Sequence, residues 1–294
     1  MRRPSKRETT GDGGNGSGKD TGKDKRTSDK WIPVSLEKEF PAEFRYTSLL
    51  ATALFVFILA IYVATMHPSV SGGDNGELLG CACELGIAHP PGYPTFTMLG
   101  FLFYKYFPFG KPAFRIGVMA AACDALAGVL VMLCVQRWVL FHEWNARCAR
   151  HRLITGRSSS DNSPAKERAR REPPLELEDN ELVGTNWVGA NWVGILGGGL
   201  YSLSPLVWLY SVQAEVFAMN NMFAALLLHL IIRYNEQRLP STAYLGALCI
   251  GVGLTNQHTL LLFALPVVAW ALSQDSFALC HPRHFGMLTY ADVC

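Results

Sequence analysis

The sequence predicts an all-α integral membrane protein, a polytopic bundle of about six transmembrane helices with a helical loop at one membrane surface. Nearly half of the 294 residues are hydrophobic (49%), whereas only 17% are charged. The polar residues are concentrated in a few segments, and the apolar runs between them are long enough to cross a membrane. This separation indicates an integral membrane protein with soluble inserts and excludes a soluble globular protein.

Seven apolar runs follow one another along the chain. Residues 48–66 carry no charged side chain and match the length that crosses about 30 Å of hydrocarbon. Residues 95–107 are apolar but short, which favours an interfacial or re-entrant helix. The other runs expected to span the membrane are 114–141, 192–210, 216–232, 243–254 and 260–272.

These runs divide the chain into five parts. Residues 1–44 form a polar, basic tail with little to bury, which predicts disorder. Residues 45–141 hold the first span, a loop and the second span, and residues 142–186 form an Arg-rich loop. Four further helices are expected in 187–272, followed by a divergent tail, 273–294. Because the polar tail precedes the first apolar run, the N-terminus does not match a signal peptide.

Basic residues set the expected orientation. The N-terminal tail and the Arg-rich loop are both rich in Lys and Arg, which favours the cytosol for both. If 95–107 does not cross the membrane, a single crossing separates the loop of Asp74 from the Arg-rich loop, and both assignments agree. The loops of Asp74, Glu215 and His258 then lie together on the lumenal side.

Three predicted lumenal loops collect polar side chains. The first, SGGDNGELL, follows the first span and leads into a Pro-Pro turn, and the other two are SVQAEV and TNQHT. The cytosolic segments carry runs of charge but no comparable set, which predicts a reaction centre at the lumenal surface. The candidate site residues are Asp74, Glu77, His89, Arg115, Gln213, Glu215, Asn256 and His258.

Structural interpretations of these residues remain open at this point. Asp74 and Glu77 have the spacing of a helix capping box, and His89 also suits the turn before Pro90. Arg115 fits either a phosphate clamp or a side chain that extends to the lipid headgroups. Glu215 also fits a charge in the first turn of a helix.

Two other protein classes remain open. A transporter would use the intramembrane Asp124, with the glycine run 197–199 and Pro205 marking a broken helix. Against it, the polar residues gather at one surface and the sequence has no evident inverted repeat. A non-catalytic membrane subunit is the other alternative, because the chain stops soon after Leu272.

No cofactor or metal site is expected. The eight cysteines lack metal-ligand spacing, and the sequence contains no Gly-rich phosphate loop or other cofactor motif. The basic tail indicates membrane orientation, so nucleic acid is not an expected partner.

The order of the motifs resembles a known family. SGGDNGELL, AHPPGYPTFTMLG and FRIGVMAA resemble the C-type superfamily of membrane glycosyltransferases. SPLVWLYSVQAEVFAMNNMF and GLTNQHTLLLFALP resemble its transmembrane protein 260 family of protein O-mannosyltransferases. The resemblance covers residues 48–266. Members of this family are longer, with more spans and a lumenal C-terminal region, so a truncated form is expected.

The resemblance implies a C-type glycosyltransferase fold in the endoplasmic reticulum membrane, with a cytosolic N-terminus. It implies transfer of mannose from dolichyl phosphate mannose to Ser or Thr hydroxyls, with the IPT/TIG domains of plexins and related receptors as acceptors. By position, Asp74 matches the catalytic acid of the superfamily, Glu215 a second acidic position and Arg115 a basic residue at the lipid phosphate. One general base and a charged leaving group favour a single, inverting displacement.

Overall fold

The computed structural model describes residues 41–67, 69–156, 187–237 and 239–274, without the side chains of 41–44, 144–156 and 274. In these ranges the regular secondary structure is entirely helical, which confirms the all-α prediction. Most of the predicted disordered tail, 1–44, and of the divergent tail, 273–294, lies outside the described residues. The helices are α1 (Pro41–Thr65), α2 (Asn75–Glu84), α3 (Pro94–Tyr106), α4 (Pro112–Gly156), α5 (Trp187–Ser202), α6 (Pro205–Ser211), α7 (Val216–Gln237), α8 (Pro240–Asn256) and α9 (Leu261–Gln274), with a 3-10 turn, His258–Leu260, before α9.

Several of these helices suit a membrane. Among the described residues three are long and apolar enough to cross it: α1 over Arg45–Thr65, α4 over Pro112–Glu143 and α7 over Val216–Gln237. The pair α5 and α6, bent by 67°, makes a fourth crossing if it counts as one span. The chain is therefore a multi-pass membrane protein by length and composition. With 17 and 14 residues, α8 and α9 are shorter than a standard span, so the expected count of six stays a prediction.

The break between α5 and α6 has a local cause. Pro205 occupies the first turn of α6, and Ser204 before it is extended, as a residue preceding proline prefers. Two glycines of the run 197–199 pack against α4: a Cβ on Gly198 would lie 2.5 Å from the carbonyl oxygen of Gly128, and a Cβ on Gly197 would lie 3.0 Å from Val135. Gly197 and Gly198 therefore allow α5 to approach α4 closely.

Two short helices, α2 and α3, cover one end of the bundle. Leu78 of α2 and Phe96 of α3 are buried in one apolar core with Ile116 and Met119 of α4. The opposite face of α3 exposes Met98, and its 13 residues are too few to span, as predicted. This packing sets the loops on either side of α2 against the start of α4.

At the other end of the helices α4 is longer than expected. The sequence predicts a loop over 142–186, whereas α4 continues to Gly156, and residues 157–186 lie outside the described residues. The segment has no Pro and no Gly before Gly156, and its Ala, Arg and Leu residues are strong helix formers. A partly buried ion pair of 2.6 Å, Arg137 Nη1 to Glu236 Oε2, ties α4 to α7 at this end.

Candidate active site

Asp74 lies at the junction between the loop after α1 and the start of α2. Its carbonyl oxygen accepts the amide of Leu78 at 3.0 Å, but its side chain makes no capping hydrogen bond. The carboxylate is 67% exposed. The capping-box interpretation of Asp74 and Glu77 is therefore wrong, and the Asp74 carboxylate is accessible to a substrate.

Glu77 instead bonds a residue twelve positions later. Its Oε1 accepts the backbone amide of His89 at 2.6 Å, and its Oε2 lies 3.1 Å from the Nδ1 of the same ring. These two interactions hold the pKa of the Glu77 carboxyl below its usual value, the backbone bond contributing most. Because an ionised carboxylate only accepts, the Nδ1 of His89 carries the proton of this bond.

The other ring nitrogen of His89 points to two further groups. The Nε2 atom is 3.2 Å from the hydroxyl of Tyr93 and 3.8 Å from the Oδ2 of Asp74. The rings of His89 and Tyr93 meet edge to face, with centroids 5.2 Å apart. His89 therefore lies between two carboxylates and a phenol, and the outer nitrogen of the ring faces Asp74.

Sequence reasoning missed Tyr93. Partial burial, followed by the negative charges of Asp74, Glu215 and Glu77, raises the pKa of its hydroxyl. The residue directly precedes Pro94, the first residue of α3, and has a positive φ of 47°. A hydroxyl in the same loop as His89 was the only available signal, and it did not reveal the distance between the two side chains.

Glu215 approaches Asp74 from another part of the chain. It lies in the turn between α6 and α7, is only 6% exposed, and donates its amide to the Gln213 carbonyl at 2.9 Å. Gly73 has a φ of +73°, which suits glycine, and a Cβ built on it would be in ordinary van der Waals contact with the Oε1 of Glu215, at 3.8 Å. The turn therefore packs directly against the loop of Asp74.

Burial decides the charge of Glu215. It raises the pKa of the carboxyl from 4.5 to about 7, and the negative charge of Asp74 acts in the same direction. His89 and the backbone bond to Val216 oppose this shift. Glu215 is thus partly protonated near neutral pH and able to donate a hydrogen bond, whereas Glu77 stays ionised.

The third predicted loop joins the first two. Asn256 is fully buried and donates its Nδ2 to the carbonyl of Val216, the neighbour of Glu215, at 3.2 Å. The hydroxyls of Thr95 and Thr255 are 2.5 Å apart, which connects α3 to the end of α8. The structure therefore brings the three loops together, with Asn256 in a supporting position, while His258 is exposed at the start of the 3-10 turn.

Arg115 is half-buried near the start of α4. Its Nε donates to the carbonyl of Gly110 at 2.9 Å, and its Nη1 donates to the carbonyl of Tyr104 at 2.9 Å. These bonds fasten the end of α3 to α4, and they use only part of the donor capacity of a guanidinium. Its expected role at a phosphate stays a prediction.

Gln213 lies behind the loop of Asp74. With Ser71 and Asn75 it lines a small cavity of about 10 Å³, where Ser71 Oγ and Asn75 Oδ1 are buried without a partner among the described residues. A polar cavity of this size suits one water molecule. Gln213 therefore lies beside the buried side of this loop and not beside the exposed Asp74 carboxylate.

Asp74, Glu77, His89, Tyr93 and Glu215 together form what we call the loop cluster. It offers an accessible carboxylate, an imidazole with its Nδ1 fixed by a second carboxylate, and a third carboxyl with a raised pKa. Such a set can accept a proton from a hydroxyl and hold neighbouring hydroxyls by hydrogen bonds. Among the described residues no three His, Cys, Asp or Glu side chains have the arrangement of a metal site.

Comparison with known proteins supports an enzymatic interpretation. Residues 74–278 match the family model described as Protein O-mannosyl-transferase TMEM260 N-terminal domain. The chain is 32% identical over 234 residues to Protein O-mannosyl-transferase tmem260 of Dictyostelium discoideum, an alignment that covers 74% of this chain and 23% of the relative. It is also 32% identical over 226 residues to Protein O-mannosyl-transferase TMEM260 of Mus musculus, covering 76% and 25%. No solved structure matches significantly.

Proposed function

Because the chain belongs to the TMEM260 family of protein O-mannosyl-transferases, we propose that it transfers mannose from dolichyl phosphate mannose to Ser or Thr hydroxyls of proteins. The chain spans about a quarter of the length of the relatives it matches, so this activity is proposed for the site that the piece contains. One observation carries the proposal: the Asp74 carboxylate is exposed, makes no capping bond and lies beside His89.

Asp74 acts as the general base of this reaction. The hydroxyl oxygen of the acceptor attacks C1 of mannose while Asp74 takes the hydroxyl proton. The bond between C1 and the phosphate oxygen breaks, and dolichyl phosphate leaves with the bonding electron pair. Since the phosphate is a good leaving group without protonation, one carboxylate suffices, and the single displacement inverts the anomeric carbon.

Other residues orient the reactants. Glu215, partly protonated near neutral pH, donates a hydrogen bond to a hydroxyl of the sugar or the acceptor. Glu77 fixes His89 beside Asp74, so that the outer ring nitrogen serves the same pocket. Arg115 stabilises the leaving phosphate with the donors that its two carbonyl bonds leave unused.

The proposed site faces the lumen of the endoplasmic reticulum, with a cytosolic N-terminus and about six crossings in all. The acceptors are IPT/TIG domains of plexin-type receptors, and the lipid-linked sugar is the donor, without a further cofactor. Glycosylation sequons inserted beside Asp74, Glu215 and His258 should be modified, whereas a sequon in the Arg-rich segment 147–171 should not. Modification of the Arg-rich segment would contradict this orientation.

The activity is tested with microsomes from cells that express this chain. They receive dolichyl phosphate mannose with labelled sugar and a purified IPT domain as acceptor. Label is expected on Ser or Thr, in the anomeric configuration opposite to that of the donor. A product with retained configuration would contradict the single displacement.

One alternative is a non-catalytic membrane subunit. The alignments cover only 23% and 25% of the matched relatives, so catalysis by this chain requires a direct test. The same microsomes distinguish the two functions. No transfer above that of membranes without the chain would exclude independent catalysis and favour the subunit.

A further inference from the structure

A second carboxylate lies inside the helical bundle, away from the loop cluster. Asp124 belongs to the membrane-spanning part of α4 and is fully buried. A carboxylate in such surroundings is strongly unfavourable unless its oxygens are hydrogen-bonded. The side chain of Asp124 therefore requires donors from the neighbouring helices.

Three donors from three helices meet the Asp124 carboxylate. The Tyr201 hydroxyl of α5 donates to Oδ1 at 3.1 Å, and the Ser211 hydroxyl of α6 donates to Oδ2. The Nδ2 of Asn221 in α7 lies 3.4 Å from both oxygens. We call Asp124, Tyr201, Ser211 and Asn221 the core cluster.

The positions of these donors along the chain indicate the structural role of the core cluster. Tyr201 precedes the break between α5 and α6, and Ser211 is the last residue of α6. Asn221 lies in the second turn of α7, just beyond the turn that contains Glu215. One carboxylate thus holds the chain before and after the turn 212–215.

The loop cluster depends on this turn. The amide of His67 donates to the Val212 carbonyl at 3.4 Å, and the Oε1 of Glu215 lies 3.8 Å from the position of a Cβ on Gly73. A displacement of the turn would move Glu215 away from Asp74. In active sites a misplacement of about 1 Å lowers the rate by about 10²-fold.

We propose that Asp124 is a positioning residue, which holds the α6–α7 turn through Ser211 and Asn221 so that Glu215 stays against the loop of Asp74. The inference rests on the proposed transferase function, although its structural part does not. It also accounts for the buried charge without a transport pathway, since the carboxylate is enclosed and its partners are donors from the bundle.

The test begins with Asp124→Asn. The amide keeps the shape of the side chain but presents NH₂ to one of the donors that now surround a carboxylate, so the turn should shift. We expect kcat to fall about 10- to 100-fold with the KM for the lipid donor nearly unchanged. The exchange variant Asp124→Asn with Asn221→Asp restores a carboxylate–amide pair, and it should recover much of the rate.

The matched control is Gln136→Ala. Gln136 donates to Thr47 and Asn191 in a buried polar network of similar size, about three turns further along α4 than Asp124. This variant should lose stability without a loss of kcat per folded molecule. Should Asp124→Asn fail to fold, Ser211→Ala removes a single donor and should show the same fall in kcat on a smaller scale.

A readout without catalysis separates the inference from the transferase proposal. Burial, followed by the negative charge of Asp74, raises the pKa of Glu215, so a shifted turn should lower this pKa. The part of the pH dependence of thermal stability that Glu215→Gln removes between pH 5 and 7.5 should therefore be smaller in the Asp124→Asn background than in the wild-type background, a comparison that cancels the loss of the Asp124 carboxyl itself. If the wild-type chain transfers no mannose but this part of the pH dependence is smaller in the Asp124→Asn background, only the function fails. An equal part in both backgrounds, or a kcat that falls only with the folded fraction, would overturn the positioning role.

Discussion

The loop cluster and the core cluster both gather polar side chains around an aspartate, but they leave it in opposite states. Asp74 is 67% exposed and makes no capping bond, and its described contact is the Nε2 of His89 at 3.8 Å. Asp124 is fully buried and receives hydrogen bonds from three helices. One aspartate has acceptor capacity to spare, whereas the other has used it within the protein.

This difference separates chemistry from support. A general base needs a lone pair that is accessible to solvent and substrate, and the exposed Asp74 has one whereas the buried Asp124 does not. A residue that fixes backbone segments needs the reverse, because every unpaired oxygen of a buried carboxylate is destabilising. Exposure and the number of hydrogen bonds, taken together, therefore distinguish a catalytic from a supporting aspartate better than the presence of a carboxylate in a membrane span does.

The largest expected effect is at Asp74. Asn is nearly isosteric and occupies helix N-cap positions about as well as Asp, so the Asp74→Asn variant should fold normally. Loss of the base should lower transfer about 10²- to 10⁴-fold, the usual contribution of a positioned acid or base. The measurement is labelled mannose per folded molecule in microsomes.

The control for this prediction lies in the same short helix. Glu84 is an exposed carboxylate at the end of α2, and Glu84→Gln removes one negative charge without touching the loop cluster. Its transfer rate should equal that of the wild-type chain. Near-normal transfer by a well-expressed Asp74→Asn variant would show that Asp74 is not the general base, and it would remove the functional difference between the two clusters.

A smaller effect is expected at Arg115, which lies outside both clusters. Arg115→Ala removes the proposed charge at the leaving phosphate and the bonds to Gly110 and Tyr104. A charge-assisted hydrogen bond is worth about 1.5–3 kcal/mol, so donor use should weaken about tenfold or more. Arg115→Lys should recover part of this, since lysine offers a point charge without the planar fork.

Two measurements separate the roles of Arg115. Donor KM reports the phosphate contact, and thermal stability in detergent reports the attachment of α3 to α4. A variant that loses only stability would assign Arg115 to structure alone, as the hydrogen bonds at Asp124 are assigned to support.

The sequence predicted the convergence of the three loops because membrane topology is governed by hydrophobic length and basic residues, both visible in one dimension. It could not decide the capping box. The outcome there depends on Glu77 turning toward His89, a contact across twelve residues that no local pattern encodes.

Other differences have equally specific causes. Tyr93 was missed because its importance lies in a distance to His89. Asp124 was recognised as unusual, but its saturation depends on Tyr201, Ser211 and Asn221 from three separate helices. The extension of α4 to Gly156 was missed because a charged composition was interpreted as a loop, although its residues favour a helix.

The smallest expected effect concerns Glu215. It tests whether this carboxyl of the loop cluster is buried, as the Asp124 carboxylate of the core cluster is. The folded chain holds the pKa of this carboxyl at about 7, whereas the ordinary value is 4.5. Between these values the folded chain binds more protons than the unfolded chain, so its stability falls as the pH rises through that window.

Glu215→Gln does not titrate and should remove this part of the pH dependence. The wild-type chain should therefore lose a few degrees more in thermal midpoint than the variant between pH 5 and 7.5, with Glu84→Gln behaving like the wild type. Asp74→Asn should reduce the difference, because the negative charge of Asp74 helps to raise the pKa. Identical pH dependence in the wild-type chain and Glu215→Gln would mean that the Glu215 carboxyl is exposed to water. It would contradict the contact between the turn 212–215 and the loop of Asp74.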